Sequence, residues 1–510
     1  MLKRISFVKI VVIFFVGIAF GGLQTVSAAD LGPLIQVSGA SPFGALTDCG
    51  NFPGIFNGIN FLDSEVEPWV AVNPADPDNI VGFWQQDRWS DGGSRGNVAG
   101  VSFNGGTTWD IVPVPGITDC TGGPWERASD PWVSFSPDGT LHQMSLVFIT
   151  DPPPGSERGY GPNGMAVSKS EDGGLTWSDP ILIAEDDNPR YLNDKNSITA
   201  DPTDSKFVYA VWDRLDVSPG GIKINERGRG GLGSFKGAAL ISRSTDGGTT
   251  WEPAKKIYNP GGLNQTIGNQ IVVLPDGTVI DFFNEILNFR NDDGGSKFDY
   301  NLSFKYSMDK GERWLPRGRP LRTNKILSLG VVTPDDDVPV RDASILFDVA
   351  VDPVNGNLYT VWQDARFSGV DEVAFSMSSD GGFTWSAPIK INQTPVNANL
   401  LRQQAFLPSV AVNANGVVGV TYYDFRNDGG SGELADHWFV SCAASCSDSG
   451  SWLEERLTDS SFDYLQAPFA NGLFLGDYVG LDAVGSDFYA FFQQSSVSDP
   501  ADGFFRRVTP

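Results

Sequence analysis

Ser170-Glu171-Asp172-Gly173-Gly174-Leu175-Thr176-Trp177 decides the fold of this chain, because it is one of a series. Clean copies run over 244–251 and 378–385, an Asn variant over 102–109 and a looser copy over 307–314. A trace survives at Asp448-Ser449-Gly450-Ser451-Trp452. The Asp or Asn of each copy stands at 104, 172, 246, 309, 380 and 448, so the steps are 68, 74, 63, 71 and 68 residues. A period that regular belongs to stacked repeats, not to one irregular core. Within a copy the acid can accept from N–H groups of its own turn, and Gly supplies positive φ. The octapeptide therefore reads as a hairpin turn whose Trp packs into a neighbouring layer.

Two strand-like runs precede each copy. The first runs are Val70–Val72, Trp132–Phe135, Ile198–Ala200, Ile271–Leu274, Val349–Val351 and Val410–Val412, with a further one at Val479–Leu481. The second runs are Ile80–Trp84, Leu141–Phe148, Phe207–Trp212, Val279–Phe283, Leu358–Trp362, Val417–Tyr422 and Phe488–Phe492. Both sets are rich in β-branched and aromatic residues and are bounded by Pro, Asn, Asp and Gly. Each unit then reads strand, turn, strand, loop, strand, octapeptide, strand. Four antiparallel strands repeated radially make an all-β fold, a β-propeller. Seven strand pairs predict seven blades, with six as the alternative. The last pair has no octapeptide, and Leu34–Val37 is expected to complete it and close the ring. Residues 29–510 are expected to form this single domain.

The octapeptide resembles the Asp-box, or BNR repeat, of the sialidase superfamily, over roughly residues 60 to 460. The resemblance implies that the boxes are structural and lie away from the active face, and known sialidases have six blades. It also implies three arginines on a sugar carboxylate, a Tyr nucleophile activated by a Glu, an Asp acid/base, and an Arg-Ile-Pro motif near the first blade's inner strand. Here the matching stretch is Glu65-Val66-Glu67-Pro68-Trp69, with acids where that motif's arginine would stand.

Antiparallel connection puts the octapeptides and the first-to-second-strand turns on one face. The opposite face then collects the starts of first strands and the ends of second strands. Glu65, Glu67, Asp130, Asp194 and Glu285 are its candidate catalytic carboxylates, and Tyr478 is a candidate nucleophile alongside Tyr422 and Tyr423. Lys195, Arg341, Asp342 and Asp477 fall on the same face. Arg88, Arg214, Arg366 and Arg426 are candidate substrate-binding arginines, because a guanidinium fork binds carboxylates in pairs. Asp–Arg pairs repeated from blade to blade have a plainer reading as ion pairs that tie the ring together. Two carboxylates suffice for a glycosidase. The functional expectation is an exported glycoside hydrolase of sialidase type, and the alternative is a non-catalytic glycan- or protein-binding propeller.

Lys3, Arg4 and Lys9 precede an apolar run, Ile10–Phe20, and small residues at Val26-Ser27-Ala28, the pattern of a signal peptide over 1–28. Without it the chain holds 33 basic and 62 acidic residues, a net charge of −29. That charge repels nucleic acid and anionic membranes. The expected partner is an extracellular glycan or glycoconjugate, bound by a monomeric, exported chain with no membrane span. Export permits disulfides. Cys442 and Cys446 suit a local bridge and Cys49–Cys120 would close the first repeat, although four cysteines allow three pairings. Only two histidines occur, neither at zinc spacing. No cofactor or metal site is expected. Structural calcium stays open at the acidic runs 185–187, 292–293 and 335–337. The Gly-rich run 228–233 reads as a mobile loop over the mouth.

Overall fold

The computed structural model describes residues 29–50, 58–151, 160–217, 235–262, 264–290, 296–429 and 433–510. The signal-peptide segment, the run 228–233 and the Asp292-Asp293 pair lie outside the described residues. The described chain is all β, and its helices are four short 3-10 turns. No helix among the described residues is long and apolar enough to cross a membrane.

Antiparallel strands follow one another in groups of four. The first group is Glu65–Val72, Ile80–Arg88, Ser94–Ser102 and Asp110–Pro113; the second is Arg127–Phe135, Leu141–Phe148, Asn163–Ser170 and Ile181–Asp186. These two share a sheet through a single pair, Ser94 with Ala128. The third starts at Tyr191–Ala200, the fourth at Gln265–Val273, the fifth at Phe347–Val351 and the sixth at Ala405–Val412. The final group joins Gly480–Val484, Asp487–Gln494 and Asp502–Thr509 to two N-terminal strands, Asp30–Leu31 and Ile35–Gln36. The chain's beginning therefore completes its last sheet, as the run at Leu34–Val37 predicts. The first strands lie side by side in chain order, and Gly480–Val484 returns against Glu65–Val72. Together they line one axial channel of about 450 Å³.

Each second strand is buried on both faces, which explains its apolar run. Trp84, Trp212 and Trp362 occupy equivalent places there and are fully buried. Their indole N–H groups donate to Gln86, Asn193 and Asp364, so none is left unsatisfied.

The octapeptides explain how groups bind one another. In the second, Ser170 Oγ donates to Asp172 Oδ1, which also accepts from the Thr176 N–H at 2.8 Å. Gly174 N–H donates back to Ser170 Oγ. The copies at 244–251 and 378–385 repeat this pattern. The second Gly of each box rests on the preceding group. A Cβ at Gly106 would meet Phe505 of the final group at 2.1 Å, so only glycine fits. The Trp follows the same rule: Trp177 stacks on Phe83, and Trp385 and Trp109 pack edge-to-face on Phe282 and Phe505. Both disulfides form, Cys49–Cys120 and Cys442–Cys446. The first fastens the N-terminal segment to the connection after the first group. In the chain-entropy picture a loop of 71 residues gives about 4 kcal/mol of stabilisation.

Candidate functional site

On the face opposite the boxes, five first strands carry the same irregularity. The pairing register slips between Val66 and Trp69, Ser129 and Trp132, Asp194 and Ser197, Ile267 and Gln270, and Phe406 and Ser409. Each slip is a β-bulge, which bends the strand and re-aims a side chain. Its first residue has positive φ: Glu67 (53°), Asp130 (49°), Lys195 (49°), Gly268 (72°) and Leu407 (51°). Left-handed backbone at a non-glycine residue costs on the order of 1–3 kcal/mol and gathers at functional sites. Proline follows Glu67, Asp130 and Leu407, as a bulge permits. Only the first three groups place a charged residue at this position.

Those three side chains meet. Lys195 Nζ lies 3.5 Å from Glu67 Oε1 and 3.6 Å from Asp130 Oδ2, and its third carboxylate neighbour, Asp477 Oδ2, is at 2.5 Å. Arg341 donates to both Asp477 oxygens, at 3.0 and 2.7 Å. Arg88 donates from Nη1 to Gln85, which in turn donates to Glu67. The Arg88 and Arg341 guanidinium groups both stack on the Phe474 ring, at 4.8 and 4.4 Å. Beneath this cluster Trp69 stacks on Trp132 with centroids 3.5 Å apart, and Tyr478 packs edge-on to both.

A cavity of about 330 Å³ opens beside Lys195, lined by Arg88, Asp130, Tyr160, Asp194 and Arg341 among others. Two carboxylates on its wall share one donor. The Lys195 backbone N–H donates to Asp130 Oδ2 at 3.1 Å and to Asp194 Oδ1 at 3.0 Å. The two accepting oxygens therefore cannot be further apart than the sum of those lengths, about 6 Å.

Burial sets the protonation of this centre, and the neighbouring charges modulate it. Burial pushes the Glu67 carboxyl up to about 8 against the pull of Lys195, with Asp130 and Asp477 adding to the rise. Burial also lifts Asp194 to about 6. For Asp477, burial is outweighed by Arg341 and Lys195, which hold its carboxyl far below the usual range. Burial alone would lower the Lys195 ammonium, but Asp130, Asp477 and Glu67 hold it well above its ordinary value. Burial and the nearby Arg341 charge bring Arg88 down to about 10.

The structure thus brings Glu67, Asp130, Asp194, Tyr478 and Arg88 together around Lys195. The remaining residues singled out from sequence lie elsewhere. Glu65 turns toward the final group. Glu285 accepts from Tyr258 Oη of the third group and Arg322 Nε of its own fourth group, both at 2.6 Å. Arg214 is clamped by Asp186 of the second group. Arg366 pairs with Asp364, and Arg426 with Asp424 and Glu454. Only the Arg214–Asp186 pair joins two groups, the other two arginines pairing with acids of their own group, and none of the three lines the Lys195 cavity. Tyr478 donates its hydroxyl to the Pro131 carbonyl at 3.0 Å, and burial pushes its phenol well above 10. Lys195, Arg341 and Asp477 were placed on this face by the sequence but not singled out as site residues. The signal for their place was the repeated acid-Pro-Trp of Glu67-Pro68-Trp69 and Asp130-Pro131-Trp132.

No family model matches this chain, and no curated protein matches it. Solved structures resemble it at low identity. A protein of unknown function from Dyadobacter fermentans is 14% identical, with 93% of this chain and 99% of that chain covered and a TM-score of 0.45. The Hadza microbial sialidase Hz136 is 14% identical, with 84% and 76% covered and a TM-score of 0.45. An α-L-arabinofuranosidase of Fusarium graminearum is 14% identical, with 72% and 93% covered and a TM-score of 0.43. The all-β assignment rests on the strand pairing described above.

Proposed function

We propose that this chain is an exported seven-bladed propeller that hydrolyses glycosidic bonds in an extracellular glycan at the Lys195 cavity. The observation that carries the proposal is the shared donor: two carboxylates on the wall of one cavity accept from the same N–H. A retaining glycosidase holds its carboxyl groups about 5–5.5 Å apart, an inverting one about 6.5–9.5 Å. An upper bound near 6 Å lies below the inverting range, so retention is the expected outcome. Asp194, lifted to about 6 by burial, is the acid/base. Asp130 is the nucleophile, with the Lys195 ammonium 3.6 Å away as the opposite charge a carboxylate nucleophile needs. The strained backbone at Asp130 and Lys195 fixes both side chains before substrate arrives.

The charge balance supports a neutral sugar over a sialoside. The three cations (Arg88, Lys195, Arg341) are matched by Asp130, Asp194 and Asp477 without counting Glu67, whose carboxyl burial pushes up to about 8. Arg341 already spends its fork on Asp477, and Tyr478 is locked against two indoles. Binding without turnover has one observation in its favour: Lys195 is satisfied by three carboxylates without any ligand.

The test is hydrolysis of fluorogenic aryl glycosides, neutral pyranosides, an arabinofuranoside and a sialoside, with the anomeric configuration of the first product read by NMR. Turnover of a neutral glycoside with retention, lost in Asp194→Asn and kept in Arg366→Ala, is the expected result. Inversion would reject the role given to Asp130. Silence across the panel, with glycan binding that Asp194→Asn abolishes, would replace hydrolysis by binding.

A further inference from the structure

A second group of carboxylates sits where the ring closes. Glu65 lies at the start of the first group's inner strand, and Asp499 and Asp502 flank the start of the chain's last strand. One carboxylate oxygen from each lies within 4.8 Å of the others. Glu65 is 0% exposed. Gln86 Nε2 donates to its Oε1 at 2.5 Å, but its Oε2 is buried without any hydrogen-bond partner. Asp502 Oδ1 accepts from Gln36 Nε2 at 2.7 Å and Ser38 Oγ at 3.3 Å; Asp499 Oδ1 accepts from the Ala501 N–H. No lysine or arginine among the described residues forms an ion pair with any of the three.

An unpaired buried carboxylate is costly, and three together repel one another. Two arrangements relieve that: shared protons, or a cation. The geometry favours the cation. Calcium takes oxygen ligands at about 2.3–2.6 Å in flexible geometry, so oxygens that all lie within 4.8 Å of one another can share one ion. Glu65 Oε2, buried without a hydrogen-bond partner, is a free ligand atom.

We propose that Glu65, Asp499 and Asp502 bind one calcium ion that fastens the ring at its seam. The ion would sit between the first and final groups. It would also hold the N-terminal strand, because Gln36 and Ser38 grip Asp502. None of the three residues lines the Lys195 cavity, so the site acts on stability and not on turnover.

The test uses the full mature chain, stripped with EDTA and titrated with CaCl2 by calorimetry, with Tm measured in parallel. Wild type should bind calcium, and its Tm should rise by at least about 2 °C at saturation. Glu65→Gln, which keeps the shape, should remove both the heat and the shift. Asp499→Asn, at a half-buried position, is the second variant and should do the same. Both variants should melt at or above calcium-free wild type, because each relieves repulsion; this separates a lost ligand from a damaged fold. Equal Tm for wild type in excess calcium and in EDTA would overturn the proposal, as would a calcium shift that survives in both variants.

Discussion

The molecule holds two clusters of buried carboxylates, and they are solved in opposite ways. At the axis, Glu67, Asp130 and Asp477 surround Lys195, and Arg341 completes the balance. At the seam, Glu65, Asp499 and Asp502 have only neutral donors. Glu65 and Glu67 stand two positions apart on one strand, yet one side chain enters each cluster. The bulge separates them: beyond Val66 the register slips, and Glu67 is thrown toward the axis. The same residue type thus serves a self-sufficient centre in one place and an incomplete one in the other. A cluster that carries its own cations needs nothing from solution; one that lacks them is tuned to what solution supplies.

Removing the axial cation should break the contrast most sharply. Lys195→Met leaves buried carboxylates without their ammonium and should cost about 3–5 kcal/mol in denaturant unfolding. Calcium should not restore it. Next, Asp194→Asn should lower kcat/KM by about 10²–10⁴, since it removes the proton donor, and should cost less stability than Lys195→Met, since Glu67, Asp130 and Asp477 remain as partners of Lys195. In the wild type kcat/KM should fall as pH rises through about 6, where Asp194 loses the proton a general acid must carry.

The seam should show its own pH dependence. Burial, with Asp502 alongside, lifts Asp499 to about 7. A carboxyl whose folded pKa lies above its unfolded value near 3.9 is harmless below that value and penalises folding as pH climbs toward the folded one. Calcium-free wild type should therefore lose stability relative to Asp499→Asn between about pH 4 and pH 7, and calcium should close the gap. The smallest effect is expected from Arg366→Ala. That arginine is a quarter exposed and pairs with Asp364, which keeps donors from Trp362 and Leu327. Its loss should cost no more than about 1 kcal/mol and leave turnover unchanged.

The sequence made the repeat, the strand pairs and the orientation of the two faces legible, because each is written locally, in an octapeptide or an alternation of a few residues. Glu67, Asp130, Asp194 and Tyr478 were legible for the same reason: they open first strands or lie just before one, and those ends converge. Of the four arginines, Arg88 alone was. Arg214 finds Asp186 on the preceding group's outer strand, and Arg426 finds Glu454 on its own, partners that spacing along the chain does not reveal. Arg341 and Asp477 come from connections between groups, where no periodicity points. The seam cluster joins Glu65 to residues more than 400 positions away, a proximity that only closure of the ring creates.

That closure has a consequence for chain connectivity. Asp30 and Thr509 are register partners in the final sheet, so two distant points of the chain lie a strand's width apart. A short linker between them would join those two points, and the backbone could then be reopened at another exposed turn, such as the one at Val354. A circular permutant opened there would test whether the seam holds when Asp30 and Thr509 are joined by backbone as well as by strand pairing.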